Sequence, residues 1–447
     1  MTRPLVNTIC MWIVAATIAI TPLFLGGNRP LVWPIVLAIL SIALVFNAAV
    51  LVKINVDAAV SLDQFKLELS LLSLFLAFAV FQILPLGVFG DLRAFGLPDG
   101  QTLSVAPTES LLALITWLNV LIVAYLALQF SRNEQRSLEF LSILFWIVVL
   151  HAALGFVLFK EFEDSTLIGP KWAYLGSMTG AFVNRNTFAT FLASGAVLGA
   201  GLILRDLRSA GGSLFAGLTI TKLAFHGLGL LLILAVLVGT GSRMGLFVGM
   251  FGLLLLILLV MPKQIGTGSV VLKLFSVVLP MIALFLMALW GYGGLTVERL
   301  GSVDRDADVR LELYRQTWAM IMNRPWTGFG GGSYELAFHL FHQPGVSVDL
   351  LWQKAHNSYL GLWADYGLVV GTLPWLVLLL ITGRLLRVFR SRNSPDFVAS
   401  SAIVVAVIAM VHAFVDFSLE IQGYALLFAA IIGAGAARIG AGARQAS

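Results

Sequence analysis

The chain has 447 residues, 59% apolar and 11% charged, with a mean hydropathy of +0.95; soluble domains run at roughly 45–50% apolar and about 25% charged. That balance excludes a soluble enzyme, a disordered chain and a disulfide scaffold, and leaves an all-α polytopic membrane protein. Cys10 is the one cysteine, so no intrachain disulfide forms, and the net charge of +5 comes without a Lys/Arg run of the nucleic-acid type.

A crossing helix needs about 20 apolar residues, and about twelve such stretches follow one another. They lie near Leu5–Leu25, Leu31–Leu51, Leu69–Gly90, Ser110–Phe130, Leu138–Leu158 and Asn186–Leu204. The second six lie near Leu223–Val238, Met244–Met261, Leu274–Tyr292, Ser358–Leu380, Phe397–Phe417 and Tyr424–Ala437. The first exceeds the roughly 7–15 apolar residues of a signal peptide and reads as an uncleaved span. Residues 1–447 therefore read as a single membrane domain.

Lys and Arg set orientation. With the N-terminus inside, 16 of the 28 fall in short inner loops, among them Arg132, Arg136, Arg205, Arg208, Arg384, Arg387 and Arg390. Both termini are then cytoplasmic, and the long loop 293–356 lies outside. From Asp308 to Asn323 that loop predicts a helix with Leu311, Tyr314, Trp318, Ile321 and Met322 on one stripe. Asp304, Asp306 and Asp308 mark its start and Pro325 its end. An amphipathic helix parallel to the membrane surface fits the pattern. Read as a calcium loop from Asp304, the segment has Val309 and Arg315 where Gly and Glu belong. The run Gly328-Phe329-Gly330-Gly331-Gly332 lacks the Lys-Ser/Thr of a phosphate loop. Ser333 is placed to cap a short helix through His342, on which Glu335, His339 and His342 would share a face.

Three polar clusters sit where spans meet the outer surface. Asn184-Arg185-Asn186 opens the sixth span. It is either an interfacial Arg beside a capping Asn, or a planar donor fork for an anion at a helix N-terminus. Gly239-Thr240-Gly241-Ser242-Arg243 joins the seventh and eighth spans and repeats that choice. His356-Asn357 opens the tenth; the imidazole is either interfacial or a general base of suitable pKa. Asp365 falls nine residues beyond His356, about 13 Å along a helix and on the opposite face, which argues against direct pairing. His412 and Asp416 form an i, i+4 pair, either functional or structural.

These clusters, in this order, resemble the O-antigen ligase and O-antigen polymerase superfamily. NRNTFATFL, GSRMGL, RPWTGFGGGSYE, HNSYLGLWADYGLVVG and HAFVDFSLEIQG carry the resemblance, over about residues 184–423. It implies a GT-C-like, metal-independent, inverting glycosyltransferase of the bacterial inner membrane, without cofactor, acting in lipopolysaccharide or polysaccharide biosynthesis for the cell envelope. The donor would be a glycan on undecaprenyl diphosphate at the periplasmic face. The acceptor would be lipid A core or another glycan. Carried over by motif, Arg185 and Arg243 would grip the diphosphate and His356 would activate the acceptor hydroxyl. Asn184, Asn186, Ser242, Arg310, Arg315 and Asn357 would bind substrate. Related sequences often have Glu where Asp365 stands.

A ligase and a polymerase share this donor chemistry, and the sequence does not separate them. A small-anion transporter is the rival of another class. It predicts midplane charges, broken helices and inverted repeats, whereas the Arg and His here lie at outer span ends.

Overall fold

Small side chains set the centre of the bundle. The computed structural model describes residues 2–86, 101–209, 217–264, 293–347 and 351–442. Its first eight helices are α1 (Arg3–Ile20), α2 (Val32–Lys53), α3 (Lys66–Ile83), α4 (Pro107–Phe130), α5 (Glu134–Glu161), α6 (Arg185–Ser209), α7 (Gly217–Gly239) and α8 (Arg243–Gln264). Next come α9 (Gly293–Asn323) and the short α10 (Tyr334–Phe338), then α11 (Ser358–Ser391), α12 (Phe397–His412) and α13 (Gln422–Gly442). Ten helices among the described residues are long and apolar enough to cross a membrane, with α12 as a shorter apolar helix. The chain is an all-α polytopic membrane protein. Each predicted span within the described residues has its helix; the ninth, Leu274–Tyr292, lies outside them.

The most enclosed helices are α13 and α6, with 94% and 83% of their apolar windows buried, against 22% for α2 and α3. Their sequences, YALLFAAIIGAGAARIGAG and TFATFLASGAVLGAGL, are rich in Gly, Ala and Ser. Hydrocarbon does not drive apolar helices together, so close van der Waals approach does that work. Helix α13 packs on α4 and α12; α6 packs on α5, α7, α8 and α12. A Cβ on Gly433 would lie 2.3 Å from the Ala124 carbonyl oxygen on α4, a backbone atom that cannot step aside. Gly433→Val is therefore expected to cost about 1–3 kcal/mol or more by overpacking. A lowered melting temperature of the detergent-solubilised protein would register it.

Several boundaries differ from expectation. Helix α3 stops at Ile83, short of Gly90, because Pro85 holds Leu84 extended at ψ 131°. Helix α12 ends at His412 instead of Phe417, and the residues after it form a turn. Helix α11 breaks at Gly367, whose φ of +76° belongs to the left-handed region. Across the break Trp363 Nε1 donates to Thr372 Oγ1 at 2.9 Å, and Leu368 N donates to Pro325 O at 2.7 Å.

The loop helix is also corrected. It runs from Gly293, well before Asp308. The buried face is Leu313, Gln316, Thr317, Met320 and Ile321, while Leu311, Trp318 and Met322 are exposed. Apolar patterning misses this face because two of its members are polar. Gln316 exchanges hydrogen bonds with the Gln343 backbone at 3.0 Å each way, and Thr317 Oγ1 lies 2.7 Å from Tyr334 Oη. The second loop helix ends at Phe338, so Glu335, His339 and His342 do not share a helical face. Ser333 does not cap it; its hydroxyl donates to Gly330 O at 2.6 Å.

Candidate functional site

Three helices begin at the same end of the bundle, each behind a polar cap. Asn184 Oδ1 accepts from Asn186 N at 2.7 Å and Thr187 N at 3.3 Å. Ser242 Oγ accepts from Gly245 N at 3.2 Å. Asn357 Oδ1 accepts from Tyr359 N at 3.0 Å and Leu360 N at 3.1 Å. Each cap is worth about 1 kcal/mol, and each fixes its neighbour in the chain. Arg185 and Arg243 become the first residues of α6 and α8, and His356 immediately precedes the α11 cap. Neither α6 nor α8 has an acidic residue in its first turn, although the helix dipole favours anions there and disfavours cations. Arg185 and Arg243 thus head two helices whose N-terminal N–H groups favour an anion.

A chain of hydrogen bonds joins the three starts. Ser242 Oγ donates to Asn186 Oδ1 at 2.8 Å, and Asn186 Nδ2 donates to Asp416 Oδ1 at 3.2 Å. Asp416, fully buried, also accepts from the Ser418 hydroxyl. From there Ser358 N donates to Ala413 O at 2.9 Å, and Ser358 Oγ lies 3.2 Å from Asp416 O. The segments at 184–186, 242–243 and 356–358 are thus tied through the turn after α12. His412 stands beside it, with Nδ1 3.1 Å from Thr190 Oγ1 and 3.9 Å from Asp416 Oδ2.

His356 is held in an unfavourable state. Its φ is +52°, left-handed for a non-glycine residue, and its buried Nδ1 has no hydrogen-bond partner among the described residues. The ring lies edge-on to Phe417 and Trp352, with centroids 4.9 and 5.9 Å away. Backbone strain and an unsatisfied buried polar atom each cost on the order of 1–3 kcal/mol and tend to collect at functional sites. Burial lowers the imidazole pKa from its ordinary value; Arg310 pushes the same way and Asp416 opposes. The ring is therefore neutral at neutral pH, the form that accepts a proton.

The loop helix covers this end. Arg310 Nη1 donates to Val415 O at 3.1 Å, and Tyr314 Oη donates to His356 O at 2.8 Å. Burial pushes the Tyr314 phenol up to about 12. Arg315 is not brought to this cluster. It lies five residues beyond Arg310, about 140° around the helix. It is exposed and grips Glu312 through two bonds of 2.8 and 2.7 Å. Those bonds from Arg315, with one from Gln316, hold the Glu312 carboxyl at about 2.

Asp365 sits apart from His356 in role. Its Oδ2 accepts from Gly332 N at 2.7 Å and its O accepts from Gln82 Nε2 at 2.9 Å. It fastens the Gly-rich turn to the break in α11.

Sequence reasoning passed over three contributors. The Tyr174 ring lies under the Arg185 guanidinium, 5.3 Å from centroid to Cζ. Burial raises its phenol pKa, as does Asp416, while Arg185 and Arg310 pull it down. The Tyr174 loop is pinned by Lys171, whose buried ammonium meets Asp164 and Ser177 O. Lys354 Nζ lies 3.0 Å from Glu420 Oε2, and Glu420 Oε1 is 3.1 Å from Ser358 Oγ. No motif marks Tyr174 or Lys354. Gln82, an amide at the end of an apolar run, was the available signal for the third.

No curated protein matches this chain. Residues 228–376 match the family model described as O-Antigen ligase, a stretch that takes in Ser242, Arg243, Arg310, Arg315, His356 and Asn357 but not Asn184–Asn186. Over residues 228–376, about a third of its length, the chain is thus similar to the O-antigen ligase family.

Proposed function

We propose that this protein transfers a glycan from undecaprenyl diphosphate to an acceptor hydroxyl, as an O-antigen ligase of the bacterial inner membrane. In this reading the His356 end faces the periplasm and both termini face the cytoplasm. The acceptor oxygen attacks the anomeric carbon, the bond from that carbon to the diphosphate oxygen breaks, and configuration inverts. The neutral His356 imidazole takes the acceptor proton. Arg185 and Arg243 meet the charge that builds on the departing diphosphate, in place of a metal ion. Asn186, Ser242, Asn184 and Asn357 hold these groups at their helix starts, and Arg310 adds a further cation. Arg315 has the weakest support, since Glu312 engages it.

One observation supports the reading: the hydrogen-bonded path from Ser242 through Asn186 and Asp416 to Ser358, which gathers two arginine-headed helices and a strained histidine whose Nδ1 has no hydrogen-bond partner among the described residues. A polymerase uses the same donor chemistry on a lipid-linked repeat unit. Glycan profiling of a deletion strain separates the two. Polymer stranded on undecaprenyl diphosphate is the result expected for a ligase. Single repeat units on the final acceptor would assign a polymerase instead. An unchanged profile would remove both.

A further inference from the structure

The end of the bundle opposite His356 holds a cleft of about 690 Å³ where α1, α5, α6 and α7 meet. Three cations line it: Arg136, Arg205 and Lys222. Two carboxylates stand near them. Buried Asp206 accepts from His226 Nδ1 at 2.8 Å and lies 3.9 Å from Arg205. Exposed Glu139 accepts from Gln135 Nε2 at 3.1 Å. Among the described residues Arg136 and Lys222 form no ion pair. The cleft is thus left with positive charge.

Its depth profile is amphiphilic. Helix α5 starts at Glu134, so Arg136 sits at the rim and Ile143 about 10 Å further into the bundle. On α1 the wall continues through Met11 to Trp12, which is 56% exposed. A cationic rim above an apolar wall matches a molecule with a negative head and a hydrocarbon tail. Free phosphate would use only the rim.

We propose that this cleft binds an anionic phospholipid of the leaflet opposite the His356 end, its phosphate held by Arg136, Arg205 and Lys222 and an acyl chain lying along Met11, Trp12 and Ile143. Basic pockets between transmembrane helices recognise anionic headgroups through such charge complementarity, each cation adding to affinity. The proposal is independent of the glycan chemistry at the other end.

The test is native mass spectrometry of the full chain released from detergent, with phosphatidylglycerol and phosphatidylcholine supplied equally. Phosphatidylglycerol adducts are expected to survive activation, phosphatidylcholine adducts to be lost, and inorganic phosphate to displace nothing. Replacing Arg136, Arg205 and Lys222 together by Gln is expected to weaken phosphatidylglycerol binding about 100-fold. Equal retention of both lipids, displacement by inorganic phosphate, or undiminished binding by the triple variant would overturn the proposal. Should that variant not fold, Trp12→Phe serves instead. Quenching of tryptophan fluorescence by brominated phosphatidylglycerol, dilute in phosphatidylcholine, is expected to drop, and unchanged quenching would overturn the proposal.

Discussion

His356→Gln is expected to lower glycan transfer by about 10²–10⁴-fold, the usual contribution of a positioned general base. Gln keeps a polar group of similar reach but cannot accept the acceptor's proton. Membrane insertion should hold, since the ring's Nδ1 has no hydrogen bond to lose among the described residues, and any drop in melting temperature should be confined to the lost edge contacts with Phe417 and Trp352. The pH profile carries more information than the rate. Burial, with Arg310, depresses the imidazole pKa below its ordinary value, near 6.5 in model peptides. The base form then persists through neutral pH. kcat/KM should be level there and fall only on acidification below that ordinary value. Arg310→Gln removes one depressing influence, so its acid limb should move to higher pH. An acid limb unchanged in Arg310→Gln, or a His356→Gln enzyme of wild-type rate, would take the base assignment away from His356.

The second large effect is expected at the two arginines. Arg185→Lys and Arg243→Lys should each slow transfer by about 10²–10³-fold, as loss of one preorganised stabiliser of transition-state charge commonly does. Lysine keeps the charge and discards the planar fork that matches a phosphate. For Arg185 it also discards the flat face stacked on Tyr174. The split between kcat and KM decides the role. A fall in kcat means the guanidinium acts on charge that appears only at the transition state. A rise in KM with kcat intact means it anchors the donor equally in both states. The double variant should fall short of the product of the single effects, because the α6 and α8 starts are coupled through Asn186 and Ser242. Wild-type kinetics in both single variants would remove the diphosphate-binding account. The assay needs purified protein, lipid-linked donor and acceptor, with product glycan quantified.

Much of the molecule is legible in local sequence. Spans such as Ser110–Phe130 and Met244–Met261 are set by composition over about 20 residues, and their helices match α4 and α8 closely. Helix caps are equally local: Asn184 and Asn357 bond to amides two and three residues on. Local order also explains the failures. The start of the loop helix is ambiguous in sequence because Asp304–Asp308 reads alike as a start signal or as a helical turn. Its buried face is not legible because Thr317 and Gln316 bond to groups 17 and 27 residues away as well as, for Gln316, to nearby Glu312.

The residue sequence alone determined a many-spanned helical membrane protein, the helix starts at Arg185, Arg243 and near His356, and the order of motifs that resembles the O-antigen ligase and polymerase superfamily. These depend on hydropathy and on contacts between near neighbours, which a linear chain displays. Tertiary structure decided that Asn186 would bridge Ser242 and Asp416, that Arg310 and not Arg315 would turn toward the turn after α12, and that Tyr174 would lie beneath Arg185. Each of these rests on partners 11 to 230 residues apart. Such distances are closed only when the glycines of α6 and α13 let neighbouring helices approach, and no local pattern encodes which polar groups then meet.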